Sequence, residues 1–530
     1  MTAPMTAQWD TIAALVRARG RERPDDLAFE IAGRAMSYRE VDAASDRVAA
    51  GLAARGIARG DRVVSFAYNC PEQVLTWFGC MKLGAVWAPL NVGLLGEDLA
   101  YCLRDLAPSL MVVDAENFPK LKDVADRTPA FPVVLIDGVE DGPEPFAALL
   151  AGAGPCPDVE LGPGDPAVVI YTGGTTGMPK GVLLPQFAWI AAGYRYIEAF
   201  DVRPGDCHYS VCPLFHNSGL MLGLIGPYVA GIPTHLERWF SVSRFWERVR
   251  DTGATVLDPI GTMVTLLCQQ PPSEQDRNHR ARVAIGVLTQ VPEGVGQTFR
   301  ERFGVETVNV YSLSESGGVL IVHNPVGSPK PESNGRGGER CDIAILDTSD
   351  RPVPPRTIGE ICLRPKQAHT FMLGYLNHPE RTLECWRNLW LHTGDLGYVD
   401  EDGYLFFVGR HAHWLRVNGE NVSAYEVENV LSLYPGLEEV IVIGVPSELG
   451  EEAVKAFVRS EAVVDPAELY RWALPRMATF KLPRFIEQVE EFPRSATKRE
   501  VERHKLRALP NDKAWDAHRV FGRPRRAKTV

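Results

Sequence analysis

Residues 166–185, Pro-Ala-Val-Val-Ile-Tyr171-Thr-Gly-Gly-Thr-Thr176-Gly-Met-Pro-Lys180-Gly-Val-Leu-Leu-Pro, decide how the chain is read. The β-branched run ending at Tyr171 reads as a buried strand that passes directly into a turn of glycines and threonines. Glycines let backbone N–H groups approach an anion, threonine hydroxyls add donors, and Lys180 adds a mobile positive charge. That combination is phosphate-cradling chemistry. It is not a Walker A loop, because GxxxxGK[ST] cannot be placed on these residues. A plain surface hairpin would not call for all of these residue types together.

Toward the N-terminus, short apolar runs alternate with amphipathic stretches. RVVSFAY (Arg62–Tyr68), SLMVVD (Ser109–Asp114) and PVVLID (Pro132–Asp137) read as strands, and PEQVLTWFGCMKLGA as a helix. Strand–helix alternation on this scale predicts an α/β fold of layered subdomains around parallel sheet. From about Asp342 the texture changes to short strands between Gly, Pro and Asp turns (DIAILD, GEICLRP, GYLFFVGR), which predicts a β-rich subdomain. After Arg410 come a helix, SAYEVENVLSLY, and the strands EEVIVIGVP and AVKAFVRS, expected to form a small α+β unit. The division expected is therefore 1–410 and 411–530.

Composition narrows the function classes. The 530 residues are 45% hydrophobic and 23% charged, with 56 Lys+Arg against 67 Asp+Glu and a net charge of -11. That balance argues against a dedicated nucleic-acid binder, which carries a basic excess. The longest apolar stretch, Gly219–Pro233, is interrupted by glycines and prolines and falls short of the ~20 residues a membrane span needs. The opening MTAPMTAQWD has neither the basic nor the apolar region of a signal peptide, so a cytoplasmic protein is expected. The ten cysteines are scattered between Cys70 and Cys385 without a CxxC pair and read as reduced thiols. The pair Gly294-Val-Gly296 lacks the third glycine of a dinucleotide fingerprint and is expected to precede no βαβ unit. His411 and His413 have no further ligand nearby and read as solvated residues.

The loop at 171–181 resembles the YTSGTTGxPKG phosphate loop of the AMP-forming adenylating superfamily, which includes acyl-CoA ligases. Further segments follow in the family's order. Pro213-Leu-Phe-His216-Asn-Ser-Gly219 resembles PxFHxxG, and Tyr311-Ser-Leu-Ser314-Glu315 resembles YGxTE. Leu391-His-Thr-Gly-Asp395 resembles the TGD segment. Gly409-Arg410 and Asn418-Gly-Glu-Asn-Val-Ser423 resemble GRxxD and RGENIS, and Glu491–Thr497 resembles the stretch before a catalytic lysine. The RVNGENVS flavour and the late KAWDAHR are similar to the carnitine/crotonobetaine-CoA ligase branch.

The resemblance implies a two-step reaction. A carboxylate attacks the α-phosphate of ATP to give acyl-AMP and pyrophosphate, and coenzyme A or another nucleophile then displaces AMP. It implies that Thr172, Gly173, Gly174, Thr175, Thr176 and Lys180 hold the β- and γ-phosphates. Tyr311 would stack on adenine, Ser314 would contact the α-phosphate and Glu315 would bind Mg²⁺ as a hard oxygen ligand. Asp395 would accept the ribose hydroxyls with Arg410 assisting, and His216 would line or gate the acid pocket. The rest of that pocket is expected from Tyr194–Ile197, His216–Gly219 and Ile260–Met263, a mixed aromatic and apolar set suited to an aryl or medium-sized acid.

The sequence also departs from the family. Gly173 replaces the loop serine, Val287-Leu-Thr-Gln290 replaces a glycine-rich adenine wall, and Ala412 stands at the hinge position usually held by Asp or Lys. For the C-terminal lysine, counting from Pro493 selects Arg499 and counting back from Arg503-His-Lys-Leu-Arg507 selects Glu500. A shifted register selects Lys498, the nominal catalytic choice. Two other readings stay open: a diazotase-like enzyme adenylating nitrite for attack by an aryl amine, and a degenerate nucleotide-binding homologue. The retention of Lys180, Glu315, Asp395 and Arg410 argues against the second.

Overall fold

The computed structural model describes residues 7–138, 142–151, 154–172, 179–285, 294–318, 320–337, 340–410, 414–417, 420–448, 450–493, 501 and 503–522. The expected α/β layering is present. An eight-stranded sheet has a parallel centre of Val86–Pro89, Arg62–Phe66, Leu110–Val113 and Val133–Leu135, with Pro166–Thr172 parallel to Val86–Pro89 on its other flank. Parallel neighbours need a crossover, and Pro71–Leu83 is the helix that joins the first two. All of its 13 residues are buried, the polar Glu72, Gln73, Thr76 and Lys82 included. It opens on Pro71 and closes on Gly84 in the left-handed conformation, φ 76°.

At the flank the sheet changes direction. Pro166–Thr172 pairs antiparallel with Lys180–Pro185, placing Thr172 opposite Lys180, and Gly374–Tyr375 adds to the edge with Tyr375 opposite Val182. The glycine–threonine loop is thus the connection of a hairpin, and both of its rims are fixed by sheet hydrogen bonds.

A seven-stranded sheet forms the second layer, parallel from Glu306–Val308 to Leu27–Ile31 and closed by antiparallel Arg34–Ser37. Here one expectation is corrected. Gly294 and Gly296 do lie in a βαβ unit, since Val283–Ile285 and Glu306–Val308 are parallel neighbours around the helix Val295–Phe303. Strands of three residues are too short to show periodicity, so the unit was invisible in the sequence. Gly294 caps that helix at φ 82°, a backbone duty rather than a phosphate contact.

The main core lies between these layers. Trp77 stacks on Trp87 with ring centres 5.2 Å apart and meets Trp189 edge-on at 5.0 Å. The stretch Gly219–Pro233 contributes a wholly buried π-helical segment, Gly219–Ile225, that continues as Gly226–Ala230. Among the described residues no helix is long and apolar enough to cross a membrane. All ten cysteines are free; six are buried and four half-buried.

The β-rich part is antiparallel, running through Tyr404–Arg410, Trp390–Val399, Gly359–Pro365 and Cys341–Leu346. Beyond it the hairpin Trp414–Val417/Glu420–Ser423 leads to a four-stranded sheet of Glu439–Pro446, Glu452–Arg459, Phe485–Gln488 and Trp515–Asp516. The helices Ala424–Leu431 and Pro466–Ala473 accompany this sheet, and Leu415, Val427, Val442, Val454 and Leu469 give it a core of its own.

Candidate active site

Three elements converge at the strand start that carries Lys180. Lys180 comes from the start of its strand, Glu315 from the single 3₁₀ turn Ser314–Ser316, and Tyr375 from the sheet edge. The Lys180 ammonium lies 4.7 Å from the centre of the Tyr375 ring, and the Tyr375 hydroxyl donates to Glu315 Oε1 at 2.8 Å. Burial lowers the pKa of Lys180 while Glu315 works to raise it. A partly desolvated ammonium of this kind gains when an anion comes within reach. Burial, and then Glu315, drives the Tyr375 phenol far above its ordinary range, so it stays a donor to the carboxylate. Glu315 keeps a second carboxylate oxygen, the hard donor that a divalent cation prefers.

A second pair sits on the β-rich side. The buried Tyr311 donates its hydroxyl to Oδ2 of buried Asp395 at 2.9 Å. Strand register places Asp395 opposite Arg410. The turn before Asp395 is held by Glu360, which accepts the Gly394 N–H at 2.9 Å and meets His392 Nδ1 at 2.9 Å. Thr393 Oγ1 donates to the Ile361 carbonyl at 2.6 Å and accepts the Asp395 N–H at 3.1 Å. Ser314 is joined to the His216 segment, because Asn217 Nδ2 donates to its Oγ at 2.8 Å.

His216 faces the C-terminal part. Its Nε2 is 2.8 Å from Glu420 Oε1, which Asn91 Nδ2 also approaches at 3.3 Å. Burial acts to raise the pKa of Glu420, but His216, Arg416 and Asn91 outweigh it and the net shift is downward. A second link lies nearby. Lys481 Nζ is 2.7 Å from Asp98 and 2.8 Å from Glu426, all three groups being nearly buried. Burial opposes the charge of Lys481, yet the two carboxylates prevail and raise its pKa.

Several expected residues lie outside the description. These are Gly173, Gly174, Thr175 and Thr176 in the loop, Val287–Gln290, His411, Ala412, His413, and Lys498 with Arg499 and Glu500. Arg410 is placed by its backbone only. On the helix expected to line the acid pocket, each side chain from Tyr194 to Ile197 has a defined partner or packing. The Tyr194 hydroxyl is engaged by the Gln8 N–H at 2.8 Å, Tyr196 pairs with buried His208 at 2.9 Å, and Ile197 packs on the main core. Arg195, between them, is 2% exposed and donates to the Gly317 carbonyl at 3.1 Å. Tyr375, Glu420, Asp98 and Lys481 were not assigned roles from the sequence, and Asn217 was expected only as part of the pocket stretch His216–Gly219. Glu420 stood inside a quoted motif, whereas Tyr375 and Lys481 have only apolar or loop-like neighbours and gave no local signal.

A lysine at the start of a hairpin strand, an acidic turn facing it and a C-terminal α+β part that meets His216 and Asp98 are the features of a nucleotide-dependent activating enzyme. The chain belongs to the AMP-binding enzyme family, whose model matches residues 16–376; the model of the AMP-binding enzyme C-terminal domain matches 426–499. It is 34% identical over 474 residues to the crotonobetaine/carnitine–CoA ligase of Salmonella heidelberg, covering 88% of this chain and 92% of that one. In fold it is similar to a double mutant of o-succinylbenzoate CoA synthetase from Bacillus subtilis bound with a product analogue. That TM-score is 0.83 at 24% identity, over 94% of this chain and 99% of that one. Against the same enzyme in complex with AMP the TM-score is 0.66 at 24% identity, over 94% and 98% of the two chains.

Proposed function

We propose that the chain is an AMP-forming acid–CoA ligase. A substrate carboxylate oxygen bonds to the α-phosphorus of ATP as the α–β bridging P–O bond breaks and pyrophosphate leaves. The coenzyme A thiolate then attacks the acyl carbon, and the acyl–oxygen bond to AMP breaks. The observation that carries this reading is the convergence of Lys180, Tyr375 and Glu315 at the rim of the glycine–threonine loop.

Each residue has a part in that scheme. Thr172, Lys180 and the loop Gly173–Thr176 hold the β- and γ-phosphates, and the desolvated Lys180 neutralises charge that develops on leaving pyrophosphate. Ser314, oriented by Asn217, contacts the α-phosphate. Glu315, steadied by Tyr375, holds Mg²⁺, which when bound supplies charge neutralisation on the phosphates. Asp395 receives the ribose hydroxyls with Arg410, and Tyr311 lies against adenine while fixing Asp395. His216 forms a wall of the acid site, and Lys498 serves as the C-terminal catalytic lysine.

Residues 1–410 act as the nucleotide- and acid-binding part and 411–530 as a lid. The lid contacts at His216 and Asp98, together with the higher likeness to the product-analogue-bound relative, support an arrangement suited to acyl transfer. Free cysteines throughout fit a reducing compartment such as the cytoplasm. A nitrite-adenylating diazotase is not favoured, because the similar curated proteins are CoA ligases. The test is mass spectrometry of adenylates and thioesters from a mixed acid library with ATP and coenzyme A, beside a nitrite-plus-arylamine control. Acyl-CoA and AMP are expected; ATP binding without pyrophosphate release from any acid would sink the proposal.

A further inference from the structure

The helix Gln186–Phe200 follows the phosphate hairpin and carries a charge where an acid pocket is expected to be apolar. Arg195 is 2% exposed, and its one hydrogen bond among the described residues is from Nη2 to the Gly317 carbonyl, 3.1 Å away. Its Nε is buried without a partner, and among the described residues it forms no ion pair with a carboxylate. Glu198, a carboxylate that acts on it electrostatically, is paired with Arg340. Burial, and next Arg340, lowers the pKa of Arg195 to about 10, so it remains cationic at neutral pH. A buried guanidinium with an orphaned donor is costly to keep unless something else completes it.

The surroundings say where that completion occurs. Gly317 and Gly318 directly follow the Ser314–Ser316 turn that holds Glu315, and both have left-handed backbones, φ 76° and 80°. A side chain at Gly317 would run into the Thr370 carbonyl, and one at Gly318 would overlap the Met221 sulfur and come 3.6 Å from Asn217. One face of this glycine turn therefore packs on the Asn217–Met221 wall beside His216, and its other end carries the carbonyl that Arg195 holds. A cavity of ≈ 10 Å³ opens at Arg195, lined also by Phe187, Tyr194, Arg340, Gln367 and Thr370. That volume suits one oxygen-sized group, and two guanidiniums, an amide and two hydroxyl side chains surround it.

We infer that Arg195 is a specificity-determining residue that selects an acid bearing a second anionic group, distal to the carboxylate that is adenylated. The inference rests on the ligase reading and names its substrate class. A guanidinium recognises a carboxylate through paired N–H donors, and removing the acceptor leaves those donors unpaired. The same charge disfavours the quaternary ammonium of crotonobetaine and carnitine, so the chain differs in substrate from the relatives it is similar to by sequence.

The test uses the full chain with ATP, coenzyme A and matched acids: dicarboxylates, their monomethyl esters, and trimethylammonium acids of equal length. A preference for the dicarboxylate of roughly 10- to 100-fold in kcat/KM is expected, the range of a charged hydrogen bond. In Arg195→Met the preference should collapse, mainly through KM for the acid, with the KM for ATP held and Arg195→Lys restoring part of it. Turnover of esters or trimethylammonium acids at least as fast as of dicarboxylates by the unmodified chain overturns the inference and leaves the ligase reading intact. That comparison needs no variant, so it decides even if Arg195→Met fails to fold. The same discrimination in folded Arg195→Met as in the parent would also overturn it, assigning Arg195 to holding Gly317. Absence of pyrophosphate release with every acid removes the ligase reading and the inference with it.

Discussion

The Lys180–Tyr375–Glu315 cluster and the Asp98–Lys481–Glu426 cluster both set a lysine among acidic or aromatic groups, yet they shift the pKa of that lysine in opposite directions. At Lys180 burial dominates and the ammonium is under-compensated. At Lys481 two carboxylates at 2.7 and 2.8 Å over-compensate burial. The first cluster lies wholly within residues 1–410 and is left wanting an anion. The second is complete in itself and joins the two parts of the chain. The first arrangement suits a ligand site, the second an interface.

Substitutions can break that contrast. Glu315→Gln is expected to have the largest effect, lowering kcat/KM for pyrophosphate release by about 100- to 1,000-fold, since on the proposed reading a charged group serving the transferring phosphates is lost. Lower activity that high Mg²⁺ fully restores would locate the damage in metal affinity alone. Lys481→Met comes next. It strands Asp98 and Glu426, at about 3–5 kcal/mol, and should slow thioester formation well beyond acyl-AMP formation when the two steps are assayed separately. Equal loss in both would show that the cluster serves folding rather than the contact between parts.

The Glu420–His216 contact offers a milder, pH-driven test. The folded pKa of Glu420 lies below its unfolded value, so its contribution is fully present above the ordinary carboxylate range of about 4.3 and is lost as pH falls through the folded value. Stability of the parent relative to Glu420→Gln should therefore narrow on acidification below about pH 4.3, measured by denaturant titration. The smallest effect is expected from Tyr375→Phe, which removes one donor to Glu315 and costs about 1 kcal/mol in binding or catalysis. A loss as large as that of Glu315→Gln would mean that the phenol itself takes part.

Legibility in the sequence followed locality. The loop Tyr171–Lys180, the Ser314–Glu315 turn and the Leu391–Asp395 segment carry their chemistry in contiguous residues, so their types and spacing announced it. The parallel sheet was legible from Arg62–Tyr68, Ser109–Asp114 and Pro132–Asp137, because buried strands leave β-branched runs. The βαβ unit around Gly294 was missed because its strands span three residues each. Tyr375 was missed because its importance comes from strand pairing with Val182, across nearly two hundred positions of chain.

By itself, then, the sequence determined the α/β class, the glycine–threonine composition of the loop and the ordered set of polar motifs, all properties of short windows in which residue type dictates backbone or charge. Only the tertiary structure decided which groups meet. It set Tyr375 on Glu315, Tyr311 on Asp395, Glu420 on His216 and Lys481 between Asp98 and Glu426. It also turned Tyr196 toward His208 and left Arg195 buried with its charge uncompensated. Burial and partner distance set the electrostatic role of a side chain, and neither is a property of the residues beside it in the chain.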